Sequence, residues 1–203
     1  MNTNTSTMSD QKETEKDQPT HVCPWWVGYL LLAPLRKLRE HPDKIFGPLV
    51  RQGMTTMDIG AGMGYFSLPL ARMVGEQGRV VCVDMEPRML SALGRRAAKA
   101  GLGARISTIQ CTPVDLGLSD LAGQVDVATA VHMIHEVPRR RAFLEQVVRA
   151  LKPGGKLLVM EPRGHVSDED FDRTLRIARE VGLTEQELPF ARHKKTFAAL
   201  FSK

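Results

Sequence analysis

The sequence predicts an α/β protein built on a doubly wound, mostly parallel sheet of about seven strands, preceded by an N-terminal helical extension. From Met54 onward, short Val- and Ile-rich runs alternate with segments of helical periodicity. That order lays strands side by side and covers both faces of the sheet with helices. Gly or Pro stands at most of the junctions, where each element must stop. Crossovers between parallel strands are almost always right-handed, so the alternation winds in two directions from its starting strand.

The elements follow in order. Met54–Ile59 is an apolar run that ends in Gly-Ala-Gly-Met-Gly, as a buried strand entering a tight turn does. Tyr65–Val74 reads as a helix with Phe66, Leu70 and Val74 on one face and Pro69 near its first turn. Arg79–Val83 is a second strand. Pro87 opens a helix to about Ala100, which Gly101 stops. Arg105–Gln110 and Val125–Val131 are the third and fourth strands, and Pro138 opens a helix through Leu151. Pro153-Gly154-Gly155 is a turn before a fifth strand, Lys156–Met160. Ser167 caps a helix over Asp168–Val181, ended by Gly182, and Leu183–Phe201 reads as two strands joined near Arg192-His193.

The 203 residues suit one α/β domain with a sizeable core. Residues 1–20 are polar with little to bury and read as a disordered tail without the apolar stretch of a signal peptide. Residues 21–50 form the helical extension, and residues 51–203 the main domain. Val22–Leu35 is apolar but shorter than the ~20 residues of a spanning helix, and Pro34 interrupts it. It is expected to pack on the domain; peripheral membrane contact is the less favoured alternative. Trp25 and Trp26 give this segment a large apolar surface, suited to a lid over a pocket or to plain packing. Three cysteines form neither a disulfide framework nor a zinc site, so a cytoplasmic location and no metal are expected. Beyond residue 20 the chain carries 26 bases against 19 acids, which allows an anionic partner, with solvated helix faces the favoured reading.

The informative stretch is Met57-Asp58-Ile59-Gly60-Ala61-Gly62-Met63-Gly64. Alternate glycines let the backbone turn sharply and approach a ligand closely, and the following helix offers free N–H groups. Asp84 ends the second strand, where an acid accepts hydrogen bonds from ribose hydroxyls. Nicotinamide-binding loops favour G-x-G-x-x-G, whereas this one is G-x-G-x-G with Asp58 two residues before it. An acid so placed repels a pyrophosphate and suits an ammonium group.

These segments resemble a known family. MDIGAGMGYF is similar to the first motif of class I S-adenosylmethionine (SAM)-dependent methyltransferases, VVCVDMEPRML to their acidic second-strand motif, and LKPGGKLLVMEP to their fifth strand and its preceding turn. The similarity covers about Met54 to Glu161 and is nearest to the small-molecule branch that includes ubiquinone/menaquinone-biosynthesis methyltransferases. It implies SAM as cofactor, with Gly60, Ala61, Gly62 and Gly64 lining its methionine portion and Asp58 near the amino group. It implies Asp84 on the ribose and Met85 against the adenine. The family often places an acid after the third strand for the adenine amino group, and Thr112 occupies that position here, a departure from the pattern. An antiparallel last strand is also implied.

Methyl transfer from a sulfonium is a direct displacement that depends on alignment and exclusion of water. A base is needed only where the acceptor arrives protonated. His132 and His135, just after the fourth strand, are candidates to orient the acceptor or take its proton, and Glu136 to orient a histidine. Glu161 after the fifth strand is placed at the rim as a further candidate, with His165 behind it. Each of these residues also has a plain structural reading. The favoured function is methyl transfer to a small molecule. A nucleic-acid methyltransferase remains open through Arg139-Arg140-Arg141 and Arg192-His193-Lys194-Lys195, although no base-methylase Pro-Pro-aromatic motif follows the fourth strand. A non-catalytic SAM-binding regulator also remains open; a nicotinamide oxidoreductase is disfavoured by the glycine spacing.

Overall fold

The computed structural model describes residues 41–191 and 193–203. The expected tail, the Trp25-Trp26 lid segment, Cys23 and Arg192 lie outside the described residues. Within them the elements are α1 (Pro42–Phe46), β1 (Thr55–Ile59), α2 (Ser67–Met73), β2 (Arg79–Asp84), α3 (Pro87–Lys99), β3 (Ile106–Gln110), β4 (Val125–Val131), α4 (Arg140–Ala150), β5 (Leu151–Pro162), α5 (Asp168–Glu180), β6 (Thr184–Gln186) and β7 (Thr196–Ser202).

The seven strands form one sheet in the order β3-β2-β1-β4-β5-β7-β6. Strands β1 to β5 are parallel, β7 runs antiparallel to β5, and β6 runs antiparallel to β7. The expected C-terminal strand pair and the reversed last strand are both present. From β1 the chain moves outward through β2 and β3, then returns to β4 on the other side of β1. Strand order reverses between β1 and β4, the place where sheets of this kind bind ligands beyond their strand ends.

Strand periodicity divides the core into two layers. Met57, Ile59, Val81, Val83, Leu157 and Val159 face one side, with Phe143, Leu144 and Phe171 of α4 and α5. Val80, Cys82, Leu158, Met160 and Leu200 face the other, with Leu70 and Leu93 of α2 and α3 and Val74 just after α2. Each such side chain fully buried contributes about 1.5–3 kcal/mol. Helix α1 opens with Pro42 at its first position and packs Phe46 edge-on against Phe66, centroids 5.5 Å apart.

Three elements depart from the sequence expectation. Helix α2 starts at Ser67 rather than Tyr65: the Leu68 N–H reaches the Gly64 carbonyl at 3.3 Å, but Pro69 has no N–H to offer the Tyr65 carbonyl, so the continuous ladder begins with the Leu70 N–H on the Phe66 carbonyl at 3.0 Å. Helix α4 starts at Arg140 rather than Pro138; residues Ile134–Glu136 form a separate 3-10 turn before it. Strand β5 begins at Leu151, and the expected Pro-Gly-Gly turn is a bulge inside it. Val125 pairs with Leu151 and Val127 with Lys156, so the extra residues are accommodated between those two pairs. A Cβ at Gly155 would lie 2.9 Å from the Val125 carbonyl oxygen, and Lys152 Nζ anchors the bulge on Asp126 Oδ1 at 2.6 Å. The Ser167 cap is present, its hydroxyl accepting from the Asp170 N–H at 3.1 Å ahead of three first-turn acids.

Candidate active site

The candidate cofactor loop grows out of the end of β1. Gly60 and Ala61 N–H groups both donate to the Val83 carbonyl, at 2.9 and 3.1 Å, which folds the chain back over β2. Gly60 has φ +73°, and a Cβ there would lie 2.9 Å from Met133 Cγ. Both the backbone angle and the space therefore demand glycine. Met133 comes from the segment after β4, so the loop and that segment are in direct contact at the reversal of strand order.

Asp84 closes the other side. Its Oδ2 accepts from the Gly62 N–H at 2.7 Å and its Oδ1 from the Glu86 N–H at 2.9 Å. Partial burial pushes its pKa up, against the lowering effect of the Glu86 and Gly62 backbone bonds. A carboxylate has about four acceptor positions, so these contacts leave capacity for a vicinal diol. Met85 follows, half-buried. Met63 packs with Met89 and Ala92 beneath the loop, and Arg96 Nη1 donates to the Met63 carbonyl.

Asp58 is buried at 2% exposure, under the loop rather than lining it. Its Oδ2 accepts from Ser67 Oγ at 2.5 Å and its Oδ1 from Thr129 Oγ1 at 3.1 Å, tying β1, β4 and α2 together. Neither hydroxyl partner carries a motif signal; only the β1–β4 register, which sets Asp58 opposite Thr129, relates one of them to it. Thr112 lies exposed beyond β3, its hydroxyl accepting from the Asp115 N–H at 3.0 Å in a local turn. Cys111 is nearer the strand tip: its N–H donates to the Asp84 carbonyl at 3.0 Å, and burial raises its thiol pKa to about 11.

On the opposite flank stand the residues after β4 and β5. His132 has φ +60°, the only described residue other than glycine in the left-handed region, and its N–H donates to the Met160 carbonyl at 2.7 Å. Such a conformation costs about 1–2 kcal/mol and is concentrated at functional sites. The expected rim position of Glu161 is not what the structure has. Glu161 is 2% exposed. Its Oε1 accepts from the Ile134 and His135 N–H groups at 2.7 and 3.2 Å, and its Oε2 lies 2.7 Å from His135 Nδ1. Glu161, not Glu136, orients the histidine; Glu136 Oε1 stays 3.9 Å from His135 Nε2. The hydrogen bond to Glu161 pushes the His135 pKa up, more than burial lowers it. His165 is exposed, with its ring edge-on to His135 at 6.4 Å.

With this geometry in place, similarity to known proteins decides the family. The profile of the methyltransferase domain family matches residues 51–199. The chain belongs to the methyltransferase domain family. It is a class I, Rossmann-like member with SAM as its cofactor, in agreement with the resemblance of its motifs. Over 112 residues it is 34% identical to the ubiquinone/menaquinone biosynthesis C-methyltransferase UbiE of Azotobacter vinelandii, covering 55% of this chain and 44% of that one. The match thus spans under half the length of this relative. A SAM-dependent methyltransferase structure from Aquifex aeolicus superimposes with a TM-score of 0.79 at 22% identity, covering 89% of this chain and 99% of that one. A Methanococcus maripaludis structure described as a SAM-dependent methyltransferase gives 0.70 at 18%, covering 88% and 90%. These likenesses establish the shared fold. Among the described residues no helix is long and apolar enough to cross a membrane.

Proposed function

We propose that this methyltransferase acts on a small-molecule acceptor that docks above the ends of β4 and β5. The observation that carries the reading is the contact of Gly60 with Met133, which sets the loop against the His132–Glu136 segment. Methyl donor and acceptor then meet across a short gap at the reversal of strand order. The similarity to UbiE, a C-methyltransferase of ubiquinone/menaquinone biosynthesis, supports a small carbon acceptor.

When bound, SAM supplies an electrophilic methyl group on a sulfonium. Gly60, Ala61, Gly62 and Gly64 hold its methionine portion. Asp58 braces this loop from below and contributes negative charge beneath the ammonium group. Asp84 accepts from the ribose hydroxyls, while Met85 and the Cys111-Thr112 turn flank the adenine. His132, His135 and the supporting Glu161 form the acceptor side. A cytoplasmic location agrees with the cysteine content.

The nucleic-acid alternative is weakened by where the basic cluster goes. Arg140 is buried in a bidentate pair with Asp170, at 2.7 and 2.9 Å, and Arg141 pairs with Glu180. Two of the three arginines that suggested a phosphate-binding strip are engaged with α5.

Calorimetry with SAM, S-adenosylhomocysteine and NAD tests the cofactor half: binding of the first two and not the third is expected. Labelled SAM offered with a protein-free metabolite fraction and, separately, with total RNA tests the acceptor. Label in the small-molecule fraction is expected. Label in RNA alone favours the nucleic-acid reading, and binding without transfer favours a regulator.

A further inference from the structure

We propose that His135 is the general base of the transfer and Glu161 its positioning residue, so that the acceptor is one that arrives carrying a proton on its nucleophilic atom. This rests on the reading of the protein as a small-molecule methyltransferase.

The argument begins with the buried carboxylate. Glu161 spends one oxygen on two backbone N–H groups and the other on His135 Nδ1. At 2% exposure it does not reach an acceptor; it fixes a ring. A carboxylate at Nδ1 requires the proton there, which leaves the lone pair of the neutral ring on Nε2. The nearest ionic partner of Nε2 is Glu136 Oε1 at 3.9 Å, beyond hydrogen-bond distance. The side chain keeps 20% of its surface exposed, two residues along from Met133, which touches the glycine loop. A fixed imidazole with a usable lone pair thus stands on the acceptor side of the loop.

Charge supports the same assignment. The groups facing His135 are Glu161 from β5, Glu136 from its own turn, Arg140 at the start of α4 and His165 after β5. The carboxylates dominate, and the His135 pKa is raised by them, chiefly by Glu161. A cationic imidazole is therefore favoured where a proton must be received.

In the step, the bond between the acceptor's nucleophilic atom and its proton breaks, and the proton passes to His135 Nε2. The electron pair left on that atom forms the new bond to the methyl carbon. The methyl–sulfur bond breaks with its pair left on sulfur. One positive charge leaves the sulfonium and one appears on the imidazolium, whose Nδ1 lies 2.7 Å from Glu161. The charge at the site is conserved. The arrangement follows the logic of hydrolase triads, in which an acid holds a histidine in its working tautomer.

The test uses the full chain labelled with 15N-histidine. The neutral His135 ring is expected to carry its proton on Nδ1 and to titrate above the ordinary histidine range. In Glu161→Gln the amide NH2 facing Nδ1 reverses the tautomer and lowers the pKa. Both that variant and His135→Gln are expected to keep SAM affinity within threefold of wild type. Both should form S-adenosylhomocysteine at least ~100-fold more slowly with the acceptor fraction. The wild-type rate should rise with pH along the NMR titration of His135. A wild-type ring protonated on Nε2, or His135→Gln turnover within threefold of wild type, overturns the assignment. Should Glu161→Gln fail to fold, His135→Gln decides alone. Absence of turnover by wild type itself overturns the underlying reading instead.

Discussion

The Gly62 N–H donates to Asp84 Oδ2 at 2.7 Å, so the glycine loop is fastened to the tip of the second strand by the residue expected to hold the ribose. Asp84 is therefore a scaffold for the loop, and under the proposed function it is also part of the ligand surface. Its raised pKa means that the folded chain takes up a proton there more readily than the unfolded chain. Stability from this group falls as pH rises from the ordinary carboxylate value through the folded value. Asp84→Asn keeps an acceptor for one backbone N–H and removes the buried charge. The expected outcome is an unchanged or higher Tm at neutral pH, together with SAM binding weakened at least ~10-fold by loss of a charge-assisted contact. Thermal unfolding and calorimetry on the same samples check both halves.

Gly60→Ala meets two separate obstacles. The left-handed backbone costs about 1–2 kcal/mol for any L side chain, and the new Cβ meets Met133 Cγ at 2.9 Å. A loss of roughly 2–3 kcal/mol in urea unfolding is expected, with SAM affinity reduced in parallel. Adding Met133→Ala should return the steric part and leave the backbone part.

Arg140→Ala removes a guanidinium held by Asp170 and Thr174 across the α4–α5 contact. Asp170 is 35% exposed, so water compensates part of the loss. A decrease of about 2 kcal/mol in urea unfolding is expected, less than a fully buried pair would give. Affinity for RNA should not change. A fall in RNA binding without loss of stability would contradict the structural role given to this arginine.

His135 makes a stability prediction of the opposite pH sense to that expected of most carboxylates. Its folded pKa is raised above the unfolded value near 6.5. Its stabilising contribution is fully present below that value and declines as pH rises through the folded pKa. A urea series from pH 5.5 to 8.5 should show this decline in wild type and lose it in His135→Gln. An identical slope in both proteins would place the titration elsewhere.

The sheet was readable because strand and helix periods differ and because Gly and Pro mark the junctions. Val125–Val131 matches the observed strand at both ends. The bulge at residues 152–155 was read as a turn, since Pro-Gly-Gly suits either and the pairing that distinguishes them is non-local. The start of α2 lies two residues later than periodicity predicts, because Tyr65 and Phe66 continue the helical pattern while Pro69 withholds the hydrogen bond that the Tyr65 carbonyl needs. At the site, Asp84 ends β2 beside the glycine loop that follows β1, as the order of the motifs leads one to expect. Asp58 and Glu161 are both buried, whereas the sequence places Glu161 at the rim and Asp58 beside the ligand. Sequence spacing does not reveal that Ser67, Thr129 and the turn at Ile134-His135 fold over them. The left-handed backbone of His132 carries no compositional signal at all.

Glu161 holds the peptide backbone of the Ile134-His135 turn and the imidazole ring with the same carboxylate. The contour of that wall and its proton affinity cannot drift independently, because one substitution alters both. Descendants of this scaffold that acquire new acceptors are constrained to vary around the pair, or to exchange residues 132–136 and 161 as one inherited block. Transplanting the turn without its carboxylate would lose the outline of that wall together with its proton affinity.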